Sequence, residues 1–193
     1  MKLFGLTGGV GMGKSAAAQI LAERGIPVVD TDLLARRVVE PGQPALKEIQ
    51  QTFGNAVVAP NGQLSRSALA DIVFSDPAAR QKLENITHPR IRDLWRAEAG
   101  AWRTQGIPKG CVVIPLLFET SADNELDATI CVACSAATQM KRLQQRGWSA
   151  EQIQRRIAAQ FPIEKKIAKA NFVVWNEGSL EILGAQLDCI LDR

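Results

Sequence analysis

Apolar residues fall along this chain in two rhythms, and their alternation sets the architecture. Short runs rich in aliphatic and β-branched side chains stand at 3–6, 26–29, 112–117, 129–132 and 172–175. Several are continuous rather than alternating, the pattern of strands covered on both faces. Between them the apolar positions step by three and four, as on one side of a helix. Strands separated by helices predict a parallel sheet joined by right-handed crossovers.

Two stretches are too long for simple crossovers. The gap between the second and third runs is about 80 residues, and helical spacing predicts helices at 33–39, 45–53, 65–74 and 78–103. In the last of these Leu83, Ile86, Ile91, Leu94, Trp95, Ala99 and Trp102 carry the apolar stripe. Thr87-His88-Pro89 predicts a break in it, with Pro89 opening a new helix and Thr87 or His88 as its cap. Asn61-Gly62 reads as a turn. Residues 34–105 are therefore expected to form a helical insertion. The other stretch, 136–169, predicts helices at 138–145 and 150–160 and carries Lys141, Arg142, Arg146, Arg155, Arg156, Lys165, Lys166 and Lys169. That leaves 1–33, 106–135 and 170–193 as the core.

Chemistry enters where the first strand ends. The run to Thr7 is followed by Gly8-Gly9-Val10-Gly11-Met12-Gly13-Lys14-Ser15, which fits G-x-x-x-x-G-K-[ST], and Ala16 continues into strong helix formers. Glycines let such a loop bring its N–H groups close around phosphate oxygens, and the helix N-terminus adds partial positive charge. Lys14 supplies a full charge for β- and γ-phosphates, and the Ser15 hydroxyl is placed to hold Mg²⁺. Glycine-rich turns also join strands to helices without any ligand, but Lys14-Ser15 in a strand–loop–helix context favours a nucleoside triphosphate. Contacts are expected from Gly8 through Ala16. A basic helical pair at 136–169 beside such a loop reads as a lid that excludes water and adds charge; the bland alternative is a solvated charged face.

Composition narrows the field. The 193 residues suffice for one domain, with or without insertions, and a hydrophobic fraction of 46% argues against disorder. No apolar run approaches the roughly 18 residues that span a bilayer, and the start of the chain does not read as a secretory leader, so a cytoplasmic protein is expected. A net charge of +3 suits an anionic small molecule and falls short of the dense basic stripe of a nucleic-acid binder. Cys131-Val-Ala-Cys134 has redox spacing, yet strand positions three apart point to opposite faces. Small buried hydrophobes are the better account. With His88 the single histidine and no second ligand pair, a zinc site is not expected.

The second strand ends Val28-Val29-Asp30-Thr31-Asp32. Ligands in α/β sheets collect at the carboxyl ends of strands, so a carboxylate here can accept the proton of an attacking hydroxyl or hold a magnesium-bound water. Asp32, beyond the strand at the start of the next helix, is preferred to Asp30; either could also cap that helix.

The ordered set of motifs resembles the dephospho-CoA kinase family over nearly the whole chain. It comprises the loop from Thr7 to Ser15, Asp30-Thr-Asp-Leu-Leu-Ala-Arg36, Val39-Glu-Pro-Gly42, His88-Pro-Arg-Ile91, Pro115-Leu-Leu-Phe-Glu119, Gln139-Met-Lys-Arg-Leu-Gln-Gln-Arg146 and Arg156-Ile-Ala-Ala-Gln160. The resemblance implies a three-layer P-loop NTPase fold with a five-stranded parallel sheet, a helical substrate-binding insertion and a helical lid. It implies transfer of the ATP γ-phosphoryl to the ribose 3′-hydroxyl of dephospho-CoA. On that resemblance Asp32 is the general base, Arg142 faces the phosphates with Lys14, and Asn176 lies on the adenine side. Arg36, His88 and Leu117 fall on the substrate side, Arg36 pairing with an anionic group or with Asp30, and His88 serving structure or substrate. A monomer or weak homo-oligomer is expected. Two positions depart from the family pattern: Ala16 stands where threonine is usual, and Asn171 where a carboxylate often occurs. Glu119 could hold a metal-linked water or close a salt bridge. Rival readings are a kinase for another nucleotide and a nucleotide switch, though the Asn-Lys-x-Asp guanine reader of a GTPase switch is missing from the sequence.

Overall fold

The computed structural model describes residues 1–192, with Ser75 by its backbone alone. The elements run β1 (Lys2–Gly8), α1 (Lys14–Glu23), β2 (Val28–Asp30), α2 (Thr31–Arg37), α3 (Pro44–Phe53), α4 (Arg66–Ser75), α5 (Pro77–Thr104), β3 (Lys109–Val113), β4 (Ala128–Ala133), α6 (Ala136–Gln145), α7 (Ala150–Ala158), α8 (Ile163–Lys169), β5 (Phe172–Trp175) and α9 (Leu180–Leu191). Short 3₁₀ turns lie at Asn55–Val57 and Ala122–Glu125.

The sheet is five-stranded in the order β2-β3-β1-β4-β5, and every pairing is parallel. In the centre Phe4 of β1 stands opposite Cys111 of β3 and Ala128 of β4. β4 is buried at each position and β1 at all but its first, which is why those runs read as continuously apolar. The edge strands β2 and β5 keep exposed or half-exposed positions. Phe4, Leu6, Leu21, Ile130, Val174 and Leu187 form one apolar cluster in which α1 and α9 cover the sheet. Each such side chain contributes about 1.5–3 kcal/mol on burial.

The chain divides into two compact units, Met1–Asp30 with the residues from Ala101 onward, and Thr31–Gly100. The second has its own core of Val38, Val39, Ala45, Ile49, Val57, Leu69 and Ile86. A small hairpin there turns at Asn61-Gly62: Gly62 has φ 78°, and Val58 bridges Leu64. Among the described residues no helix is long and apolar enough to cross a membrane.

Three expectations need correction. The third run forms a strand only to Val113, because Pro115 lacks the N–H that the ladder needs; Ile114 makes the last bond, to Leu6 O at 2.9 Å. The predicted break at 87–89 is absent, and α5 runs through Pro89. Proline costs the one helical bond that would reach Asn85 O; around it Arg90 donates to the Ile86 carbonyl and the Thr87 hydroxyl to Leu83 O at 2.9 Å, neither of which replaces that bond. Leu83, Ile86, Ile91 and Leu94 meanwhile pack the stripe on both sides of the proline. Neither Thr87 nor His88 is thus a cap. Finally, α8 follows Pro162 in a stretch where no helix is expected, and α2 starts at Thr31 rather than 33.

Candidate active site

The phosphate loop leaves the central strand at its carboxyl end, and two glycines make its path possible. Gly8 has φ 145°, and a Cβ there would come within 2.2 Å of Val132 O. Gly13 has φ 103°, and its Cβ would meet Asn176 Nδ2 at 1.9 Å. The loop is closed by Met12 N–H donating to Gly9 O at 3.2 Å. Helix α1 opens at Lys14, and its first turn-closing bond is Ala17 N–H to Gly13 O at 3.1 Å, so the N–H groups ahead of Ala17 are first-turn donors. The Lys14 ammonium folds over the loop, donating to Gly8 O at 2.9 Å and Gly9 O at 3.0 Å. Ser15 is exposed in the first turn of α1, and Ala16 packs against the sheet core.

Side chains from later elements hold this loop. Gln139 Nε2 donates to Val10 O at 2.7 Å, and Gln160 Oε1 accepts from Val10 N–H at 3.2 Å. Asn176, buried just past β5, donates from Nδ2 to Met12 O at 3.0 Å while its own N–H bonds Ala133 O at 2.7 Å. Arg142 Nη1 stands 3.5 Å from Met12 O, and its Nη2 donates to Asn176 O at 3.0 Å. The roles of Gln139 and Gln160 escaped the sequence reading. The available signal was a polar residue at the inward position of α6, one turn before the buried Leu143.

Lys166 carries a buried charge that a basic-lid pattern does not anticipate. It is fully buried, donating to Pro115 O at 2.6 Å and pairing with Glu119 Oε1 at 2.8 Å. The same Oε1 accepts from Phe161 N–H at 2.8 Å, and Glu119 Oε2 is buried with no hydrogen-bond partner among the described residues. Glu119 therefore closes a salt bridge, one of its two expected roles. Leu117 beside it is fully buried, packed near Gly5.

Other cations of 136–169 are engaged locally. Arg156 lies over the Trp148 ring at 4.2 Å, Lys165 over Phe161 at 3.5 Å, and Arg155 is 3.7 Å from Glu151. Glu177 caps α6, accepting from Ser135 N–H and, at 2.7 Å, from the Thr138 hydroxyl. These bonds to Ser135 and Thr138, with Arg142 nearby, hold its carboxyl down at about 2. Asn171 acts as an acceptor, its Oδ1 taking both Thr129 N–H at 2.8 Å and the Thr129 hydroxyl at 2.9 Å. Burial raises the Cys131 thiol to about 11 and Cys111 to about 12, so both are neutral packing groups rather than redox thiols.

In the second unit Asp32 is exposed in the first turn of α2, and Arg36 is exposed in its last turn. His88 is half-buried within α5. Burial lowers its pKa, Arg92 and Arg80 add to that, and Glu84 opposes them.

Known proteins are similar to this chain in sequence and fold. A profile of the dephospho-CoA kinase family matches residues 2–181. The dephospho-CoA kinase of Anaeromyxobacter dehalogenans is 46% identical over 192 residues, 99% of this chain and 91% of the relative. The crystal structure of TT1252 from Thermus thermophilus superposes with a TM-score of 0.85 at 36% identity, covering 99% of this chain and 96% of that one. Dephospho-CoA kinase from Campylobacter jejuni gives a TM-score of 0.73 at 28% identity, covering 100% and 96%. A parallel sheet with a lysine-bearing phosphate loop on its central strand is common to many kinases, but the match along almost every residue is not, and by it the chain belongs to the dephospho-CoA kinase family.

Proposed function

We propose that this enzyme moves the γ-phosphoryl of ATP to the ribose 3′-hydroxyl of dephospho-CoA, yielding CoA and ADP, with the phosphate loop as the donor site. The observation that carries this reading is the cluster of first-turn donors at the N-terminus of α1 with the Lys14 ammonium folded over the same loop. Phosphoryl transfer asks little covalent chemistry of a protein; it asks for positioned reactants and offset charge. The N–H groups of Gly11 and of Gly13 through Ala16 would cradle the phosphates, and Lys14 would exchange its carbonyl partners for β- and γ-phosphate oxygens. Arg142, whose guanidinium already touches the loop at Met12 O, would offset charge on the transferring group.

Mg²⁺ fits the residues present. Ser15 offers one exposed hydroxyl, and among the described residues no group of three or more His, Cys, Asp or Glu could hold a metal. That donor set suits a cation bound mainly by phosphates and water. When bound, Mg²⁺ neutralises charge on the β- and γ-phosphates.

Asp32 would accept the proton of the 3′-hydroxyl; its exposure and its position two residues past the carboxyl end of β2 support that role. Residues 31–100 would hold the acceptor, with Arg36 near its anionic groups, and 136–169 would form the lid over the triphosphate. Incubating the enzyme with Mg-ATP and dephospho-CoA, adenosine or AMP tests the reading. CoA and ADP should form in step with dephospho-CoA. Equal or faster phosphorylation of adenosine or AMP would overturn it.

A further inference from the structure

We propose that Gln139 and Gln160 are positioning residues for nucleotide binding: they fix the main chain on both sides of Val10 and so hold the phosphate loop in its donor-presenting shape. Val10 offers one backbone donor and one backbone acceptor, and a glutamine meets each. Gln160 Oε1 takes the N–H at 3.2 Å, and Gln139 Nε2 supplies the carbonyl at 2.7 Å. The N–H belongs to the Gly9–Val10 peptide and the carbonyl to the Val10–Gly11 peptide, so two consecutive peptide planes are held. Glycine neighbours make this necessary, because their backbone has the most conformations to lose. A released plane can turn its carbonyl toward the phosphates, replacing an attractive dipole with a repulsive one.

The mounts of the grip are themselves anchored. Gln139 sits in the first turn of α6, whose N-terminus is capped by Ser135 and Glu177. It is 7% exposed, and a buried amide is retained where its bonds are made. Gln160 lies just past α7, next to Phe161, whose N–H is bound by Glu119, the partner of buried Lys166. Both glutamines thus reach the loop from 136–169, so any displacement of that segment is transmitted to the phosphate cradle through Val10.

The proposal rests on the reading of this loop as the ATP site but not on the identity of the acceptor. It is therefore tested by calorimetric titration of ADP with no acceptor present. Gln139→Met and Gln160→Met keep side-chain length and lose the amide. Each should weaken ADP binding about 3- to 10-fold, the range one neutral hydrogen bond supplies, with melting temperature near wild type. In turnover the KM for ATP should rise while the KM for dephospho-CoA stays put. Glutamate at either position adds the same charge beside the same loop, but a carboxylate at 160 can still accept an N–H whereas one at 139 cannot donate. Gln160→Glu should consequently bind ADP several-fold more tightly than Gln139→Glu. Methionine variants that bind ADP as wild type does, or lose melting temperature without affinity, would overturn the proposal, as would equal effects of the two glutamates. Wild-type enzyme that binds ADP but leaves dephospho-CoA unphosphorylated would sink the proposed reaction and leave the grip standing.

Discussion

In the unit built on the sheet, Thr7, Thr129, Gln139, Lys166 and Asn176 are buried polar residues; among the described residues of Thr31–Gly100 only Thr31 is. Burying a polar group costs free energy unless its bonds are made. In the first unit they are made, and Gln139 and Asn176 bond the phosphate loop directly. A cradle of main-chain dipoles needs such scaffolding, because its own groups must be left for the ligand. The second unit is held by an apolar core of Val38, Ile49, Val57 and Ile86, and its functional candidates, Asp32 and Arg36, are exposed. Two of the five buried polar side chains of the first unit thus brace main chain in the phosphate loop, whereas the candidates of the second unit are side chains left at the surface.

The comparison can be broken in order of severity. Lys14→Ala should lower kcat/KM by about 10³-fold or more, the scale for removing charge stabilisation at a reacting centre; a loss below tenfold in ADP release would contradict the loop assignment. Lys166→Met leaves Glu119 buried and uncompensated and should cost at least about 3 kcal/mol in denaturant unfolding. Adding Glu119→Leu should recover most of it, and a double variant as unstable as the single one would deny the pair its role. Asp32→Asn should reduce kcat about 10²-fold with ATP binding intact. Weakened ATP binding with unchanged kcat would move Asp32 out of proton transfer. Ile49→Val, in the core of the second unit, should cost about 1 kcal/mol in thermal melts and leave ADP affinity alone.

The smallest effect concerns acid. Glu177 sits at about 2 in the folded chain and near the usual carboxylate value when unfolded. A lowered folded pKa gives stability that is complete above the unfolded pKa and disappears as pH falls through the folded one. Glu177→Gln should therefore melt below wild type at neutral pH, with the gap closing between about pH 4.5 and pH 2. A gap independent of pH would show that charge at this cap does not matter.

Much of the first unit was legible, for a physical reason: β1 and β4 are covered on both faces, so their burial appears as unbroken apolar runs, and the loop motif states its own chemistry. The second unit was less legible. Proline normally marks a helix start, yet Pro89 lies inside α5, where apolar packing on both sides of it outweighs the lost N–H. Lys166 read as a solvent-facing cation because one-dimensional pattern cannot reveal that a carboxylate and a proline carbonyl converge on it. What Asn171 does was not legible either, because its bonds to Thr129 join β4 to the start of β5, a pairing that only the folded sheet reveals.

The Lys14 ammonium rests on the carbonyl oxygens of Gly8 and Gly9. Arrival of a polyanion is thus a swap of partners rather than the pairing of a bare ion, and the dipoles that would repel the newcomer are shielded until it comes. Neutral carbonyls leave the ammonium its full unit charge, so added salt should still slow nucleotide capture by screening that charge from the incoming phosphates.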